Sequence, residues 1–467
     1  MIKSLRLAAL AAALATSAFA ASPYQRPAGI ADLKEAQIVA GYRALFTCSA
    51  HFFAVRPLED IKKVELEEMS GFGFPDPVID EQRKLVAARD PSGKVVAMAA
   101  FRDTMGCTVL PPDWGPADVP RLPYVSYAAP PDVRDVPFPA GDRVELPAGG
   151  IDGRYGALAP MLERAFDSAG YANAEGVVTT AVLVLKGGRI VAERYRPGFG
   201  IHSGYRTWST AKSVSAALIG IAAKQGILDL DDAAAIPEWG YPGDPRQAIT
   251  YKHLLWMSSG LFSGGDNTYA VYFGGQDVVS AVTRNALEVA PGTRWKYANN
   301  DTLLLMRALR NRLGDDLRYL RFPYDELFHP LGMYHTRLET DHLGNFVNSS
   351  QMYTTARDLA RFGLLLANDG VWNGKRLLPE GWVKFSSTPA PTRPPQAGQY
   401  GYGAQFWLLD QMPGVPPGTF TTAGRKGQYV TIVPGHDLII VRTGVDPEGK
   451  RFAQERLVAA VVAALGK

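Results

Sequence analysis

Two groups of strand-forming residues stand near opposite ends of a long stretch of this chain, and together they leave few folds open. Val177 to Leu185, the turn Lys186-Gly187-Gly188-Arg189, and Ile190 to Tyr195 read as a β-hairpin, with β-branched runs on either side of a glycine pair. Far downstream, Gly427 to Val433 and Leu438 to Val441 are β-rich again, separated by Pro434-Gly435. The segments between them are helical in pattern. Ser213 to Gln225 is an apolar helix ended by Gly226, and Phe452 to Leu465 forms a terminal helix. This order predicts one antiparallel sheet whose first and last strands meet in space, flanked by helices: an α/β (α+β) unit over residues 149–467.

The chain has 467 residues, enough for two or three units, and the rest divides by composition. Residues 1–20 carry Lys3 and Arg6, an apolar run from Leu7, and Ala18-Phe19-Ala20 at the end. That pattern predicts a signal peptide cleaved after Ala20, hence an exported protein, periplasmic or secreted, with no stable membrane insertion once the leader is removed. Residues 21–107 read as a small α+β extension. Its expected elements are a helix over Ala31 to Phe46, a surface helix over Leu58 to Met69, and strands Arg83–Ala88 and Lys94–Phe101 around an Asp90-Pro91-Ser92-Gly93 turn. Residues 108–148 are proline-rich, which excludes a helix or central strand and predicts an extended connector. The only two cysteines, Cys48 and Cys107, lie within or at the end of the extension; behind a leader they are expected to form a disulfide. A net charge of +3 with no basic stripe gives no footprint for nucleic acid. No C-x-x-C or H-E-x-x-H spacing occurs, so no metal is expected.

Three segments carry chemistry. In Trp208-Ser209-Thr210-Ala211-Lys212-Ser213, the serine precedes the lysine by three residues at the start of the apolar helix, so both side chains share one face. A serine hydroxyl needs a base within hydrogen-bond reach, and a lysine serves if burial lowers its pKa. The helix N-terminus also offers backbone N–H groups to an oxyanion. The second segment, Tyr297-Ala298-Asn299, follows a Pro291-Gly292 lead-in; a tyrosinate there could shuttle the serine proton and the asparagine could bind the lysine or a substrate amide. Tyr171-Ala172-Asn173 repeats the same triplet but lacks the lead-in and precedes the serine. In the third, Gly424-Arg425-Lys426-Gly427-Gln428, a cation and glycine beside a strand could bind a substrate carboxylate and add an oxyanion donor.

In this order the segments resemble the serine β-lactamase and penicillin-binding-protein superfamily, in the branch of class C β-lactamases, esterases and 6-aminohexanoate-dimer hydrolases. Two further segments carry the likeness: Tyr251-Lys252-His253-Leu254-Leu255-Trp256-Met257-Ser258-Ser259-Gly260-Leu261, and Thr355-Ala356-Arg357-Asp358-Leu359-Ala360-Arg361-Phe362-Gly363. The resemblance spans about residues 150–467. It implies a β-lactamase-like fold with an added all-helical subdomain, and no cofactor. It also implies a two-step acyl-enzyme mechanism on a small ester, amide or short peptide. Ser209 would be the nucleophile, with Lys212 and Tyr297 as base and acid. The amides of Ser209 and Gln428 would form the oxyanion hole, and Asn299, Arg425, Lys426 and Gly427 would contact substrate. Lys426 departs from the family pattern and sets β-lactam turnover apart from ester or amide hydrolysis. The alternatives on this fold are a β-lactamase, a D-alanyl-D-alanine peptidase, or a non-catalytic ligand-binding homologue. No G-x-S-x-G elbow is present, which argues against an α/β-hydrolase.

Overall fold

The computed structural model describes residues 35–466, apart from Pro91. The expected leader and the first residues of the extension lie outside them. We number the helices and strands used below α1–α7 and β1–β11.

The central sheet has seven strands. The early hairpin supplies β5 (Thr179–Lys186) and β6 (Arg189–Tyr195); the end of the chain supplies β7 (Gly401–Tyr402), β8 (Trp407–Leu408), β9 (Phe420–Gly424), β10 (Gln428–Val433) and β11 (Leu438–Gly444). Their spatial order is β7-β8-β9-β10-β11-β5-β6, antiparallel throughout. The first and last long strands meet as expected, with Leu438 opposite Lys186 and Val441 opposite Leu183. These strands read as unbroken apolar runs because both faces of the sheet are covered. Ala181, Leu183, Leu185, Ile439 and Val441 enter one core, with α4 (Thr210–Lys224) and α6 (Ala356–Ala367). Val182, Val184, Leu438 and Ile440 enter a second, with α3 (Ala159–Phe166) and the terminal helix α7 (Gln454–Leu465). Alternate residues of one strand feed opposite cores, the period of two that a strand imposes.

The extension consists of α1 (Glu35–Cys48), α2 (Leu58–Val64) and a four-stranded antiparallel sheet. The strands are β1 (Val78–Asp80), β2 (Leu85–Arg89), β3 (Val95–Arg102) and β4 (Gly106–Val109). Most of its apolar residues join the main core: Val39, Leu45, Phe46 and Ala99 enter the cluster that holds Leu218 and Leu305, while Leu85 and Ala100 form a small separate cluster with Leu110 and Leu122. A disulfide joins Cys48, at the end of α1, to Cys107 on β4, with Cα atoms 6.2 Å apart, within the reach of such a bond.

One element differs from the sequence expectation. Leu58 to Met69 is not a single surface helix: α2 stops at Val64 and a 3-10 turn covers Glu67–Phe72. An uninterrupted helix would carry Leu66 away from the face of Ile61. The break buries Ile61, Leu66 and Met69 together, and it turns Glu68 inward. The proline-rich segment is an irregular strap with one short 3-10 turn, Pro116–Arg121. Arg361 on α6 ties it down, donating to Pro139 O (2.9 Å), Gly141 O (2.7 Å) and Asp142 Oδ1 (2.8 Å). Among the described residues no helix is long and apolar enough to cross a membrane.

Candidate active site

Ser209 caps α4 at the floor of the site. The residue before it, Trp208, has φ of +50°, a left-handed conformation that costs a bulky side chain energy unless its surroundings hold it. Here they do. The ring of Trp208 lies 5.5 Å from Phe46 of the extension, and the guanidinium groups of Arg206 and Arg425 stand 5.1 and 5.3 Å from it. Arg206 is itself balanced by Glu339, at 3.6 Å. Glu339 also accepts from Ser49 Oγ and from the Cys107 amide, so the disulfide end of the extension is tied to the approach to the nucleophile.

One turn along α4, Lys212 is 1% exposed. Its Nζ lies 3.1 Å from Ser209 Oγ, 2.7 Å from Asn299 Oδ1 and 2.6 Å from the carbonyl of Ser349. None of these partners is charged, and burial drives the ammonium pKa well below the usual lysine range. The geometry suits the neutral amine. Its two N–H bonds go to Asn299 Oδ1 and Ser349 O, both acceptors, and its lone pair is left for the hydroxyl of Ser209.

Tyr297 and Asn299 reach this lysine from a loop that runs into α5 (Asn299–Leu313). The Tyr297 ring centroid is 5.1 Å from Lys212 Nζ, and its hydroxyl faces Ser209. Burial pushes the phenol pKa above its usual value, an effect the neighbouring Ser209 only partly opposes. Burial thus works against the tyrosinate considered from sequence, and against the charged form of the lysine beside it. The Tyr251–Leu261 segment buttresses the loop. Met257 O accepts from Lys296 N at 2.9 Å, Ser258 O from Gly292 N at 2.8 Å, and Ser259 Oγ donates to Asp301 at 2.8 Å. The other triplet is remote from this chemistry: Tyr171 packs in the second core, its ring 5.9 Å from Phe452.

The third segment forms the tip of the β9–β10 hairpin, and two expectations change there. Gln428 opens β10, an inner strand; it faces Gly424 across β9, and its side chain donates to Gly444 O. A backbone amide between two neighbouring strands is poorly placed for an oxyanion. The end of β9 is better placed. Its pairing with β8 stops at Thr421, and Gly424 passes so close to the turn before Ser209 that a Cβ there would stand 2.1 Å from Thr207 O. Neither Ser209 N nor Arg425 N, the first amide past β9, hydrogen-bonds a described residue. The second change concerns the cations. Arg425 and Lys426 do not point to open solvent; both meet Glu68 of the extension, at 3.0 and 2.9 Å. Gly427, with φ of +83°, packs against Arg442, which leaves no room for a side chain.

Sequence reasoning missed Ser349 and Glu68. Neither lies in a recognisable motif, and each acts across a long stretch of chain. For metals, Asp142, His202 and His335 offer ligand atoms within 4.8 Å of one another, but Asp142 Oδ1 is already taken by Arg361. Of the three, only Asp142 lies in the strap.

A serine at the head of a buried helix, with a desolvated lysine one turn on and a sheet edge alongside, defines a serine hydrolase of the acyl-transfer kind. The chain belongs to the beta-lactamase family, whose pattern matches residues 162–463. It is 25% identical over 298 residues to the 6-aminohexanoate-dimer hydrolase of Paenarthrobacter ureafaciens, covering 59% of this chain and 74% of that one. Among solved structures it resembles a Bacillus anthracis protein named as a candidate 6-aminohexanoate-dimer hydrolase. The TM-score is 0.51 at 22% identity, over 61% of this chain and 77% of that one. It also resembles EstCE1, a hydrolase with promiscuous acyltransferase activity, with a TM-score of 0.51 at 16% identity, over 67% and 99% of the two chains. Both structural likenesses are of fold.

Proposed function

We propose that this hydrolase cleaves a carboxylic ester or a linear amide through an acyl-enzyme on Ser209. The observation that carries the reading is the 3.1 Å approach of Ser209 Oγ to the buried Nζ of Lys212, whose pKa burial lowers. Ser209 Oγ bonds to the substrate carbonyl carbon while its proton passes to Lys212. The amides of Ser209 and Arg425 hold the oxyanion. The bond to the leaving alcohol or amine breaks, and that group takes the proton from Lys212 through the phenol of Tyr297. Water then attacks the acyl carbon, giving its proton back along the same path, and releases the acid. Asn299 and Ser349 O fix the lysine in position.

We also propose that residues 1–20 export the protein; a disulfide at Cys48–Cys107 suits an oxidising compartment. Covalent labelling by a fluorophosphonate tests the chemistry, together with turnover of p-nitrophenyl esters, 6-aminohexanoate dimer, nitrocefin and D-alanyl-D-alanine peptides. The reading expects labelling at Ser209 and turnover of a neutral ester or amide. Absence of both overturns it.

A further inference from the structure

Glu68 sits in the 3-10 turn that breaks the expected second helix of the extension, and its side chain is 7% exposed. One carboxylate oxygen is 2.9 Å from Lys426 Nζ and the other 3.0 Å from Arg425 Nη1. Arg425 in turn lies over Trp208, the residue before the nucleophile. A single carboxylate from outside the hydrolase unit thus meets two cations at the edge of the site. Burying three charges is tolerable only because they face one another, and Lys426 and Arg425 hold the Glu68 carboxyl below its usual pKa against the upward pull of burial. One guanidinium nitrogen of Arg425, Nη2, has no hydrogen-bond partner. The cavity beside Arg425 measures only about 10 Å³ and is walled by Ile38, Tyr42, Met69 and Phe273. That is room for about one water. Arg425 and Lys426 expose only 18% and 7% of their side chains, so a carboxylate arriving from solution meets cations already taken by Glu68.

We propose that Glu68 is a specificity-determining residue: it supplies in cis the carboxylate that Arg425 and Lys426 would otherwise take from a substrate, so the enzyme selects acyl groups without a negative charge on the hairpin side. This rests on Ser209 being the nucleophile. The test compares p-nitrophenyl butyrate, which is neutral, with mono-p-nitrophenyl glutarate, which ends in a carboxylate. Glu68→Gln keeps the shape and removes the charge. It is expected to lower KM for the glutarate ester about ten-fold or more, as buried charge pairs do, with kcat/KM for the butyrate ester within about two-fold. Free glutarate should begin to inhibit butyrate hydrolysis in the variant only. Lys426→Gln, which removes the surplus positive charge and leaves Arg425 paired with Glu68, should raise KM for the glutarate ester, and it serves as the readout if Glu68→Gln does not fold. If the wild-type protein neither hydrolyses the butyrate ester nor reacts at Ser209, the nucleophile reading fails and this one falls with it. If it does both, and the acidic-to-neutral ratio stays at the wild-type value in the folded variants, only the role of Glu68 is refuted.

Discussion

Two buried lysines stand on either side of Ser209, and the protein uses them in opposite ways. Lys212 is surrounded by neutral acceptors, and burial pushes its ammonium pKa well below the usual lysine range. Lys426, at the hairpin tip, has a side chain 7% exposed and is ion-paired with Glu68 at 2.9 Å. The residue type and the degree of burial are nearly the same; what differs is whether a carboxylate was brought to it. For Lys212 the surroundings come from the hydrolase unit itself. For Lys426 the carboxylate comes from the extension.

The hardest test of this contrast lies at the nucleophile. Ser209→Ala should abolish covalent labelling and lower kcat/KM for a neutral ester by about 10³-fold or more. Adding Lys212→Ala should cost little further, because a base without its nucleophile does nothing. Independent, multiplying losses would show that the two do not act as one unit.

A lysine-to-arginine exchange at each position sharpens the comparison directly. Arginine keeps a cation and several donors but cannot give up its proton. Lys212→Arg should lower kcat/KM for p-nitrophenyl butyrate by about 10²- to 10⁴-fold, the range of a lost general base. Lys426→Arg should leave it within about two-fold, since only the charge is needed there. Similar losses at both positions would erase the distinction.

Smaller again is the effect of loosening the extension. Replacing both Cys48 and Cys107 by Ala should lower the unfolding free energy by about 2–5 kcal/mol, read from denaturant titration. Amide exchange should then rise at Arg425 to Gln428 while α4, packed inside the hydrolase core, stays protected. Equal loosening at both places would mean that the extension supports the whole site and not chiefly its cationic edge.

The same contrast explains what the sequence could reveal. The β5–β6 hairpin, β10, β11, α4 and the Ser209–Lys212 pair follow from local rules: β-branched runs, a glycine turn, a three-residue spacing. The lowered pKa of Lys212 was legible only as a possibility, because the burial that causes it is completed by distant parts of the chain, the segment of Ser349 included, 137 residues away. The match at Lys426 depends on Glu68, and its neighbour Arg425 meets the same acid across 357 residues. Glu68 also lies where a plain helical reading points it toward solvent, and only the buried positions of Leu66 and Met69 break that helix. The proposed oxyanion donor moves from Gln428 to Arg425 for a related reason: the two are neighbours in sequence, but strand pairing puts one inside the sheet and the other past its free edge.

A third buried ionisable group lies between these two cases. Asp301, on the first turn of α5, is 1% exposed; Oδ1 accepts from Ser259, while Oδ2 has no partner. Burial raises its pKa to about 7, with Ser259 and Lys296 pulling only weakly the other way. Unlike Glu68 it has no matched cation, and unlike Lys212 its neutral form is the protonated one. In the unfolded chain its pKa returns to about 3.9, so between about pH 4 and 7 the folded state binds the extra proton. Stability must then rise as pH falls through that window, by about 1 kcal/mol from pH 7 to 6, and level off below the unfolded value. Asp301→Asn keeps an acceptor for Ser259 and removes the titration. Denaturant unfolding at pH 6 and 7 should show that about 1 kcal/mol rise disappearing in the variant. An unchanged pH slope would mean that Asp301 stays ionised in the folded protein and that a cation, most directly Lys296, neutralises it as Lys426 and Arg425 neutralise Glu68.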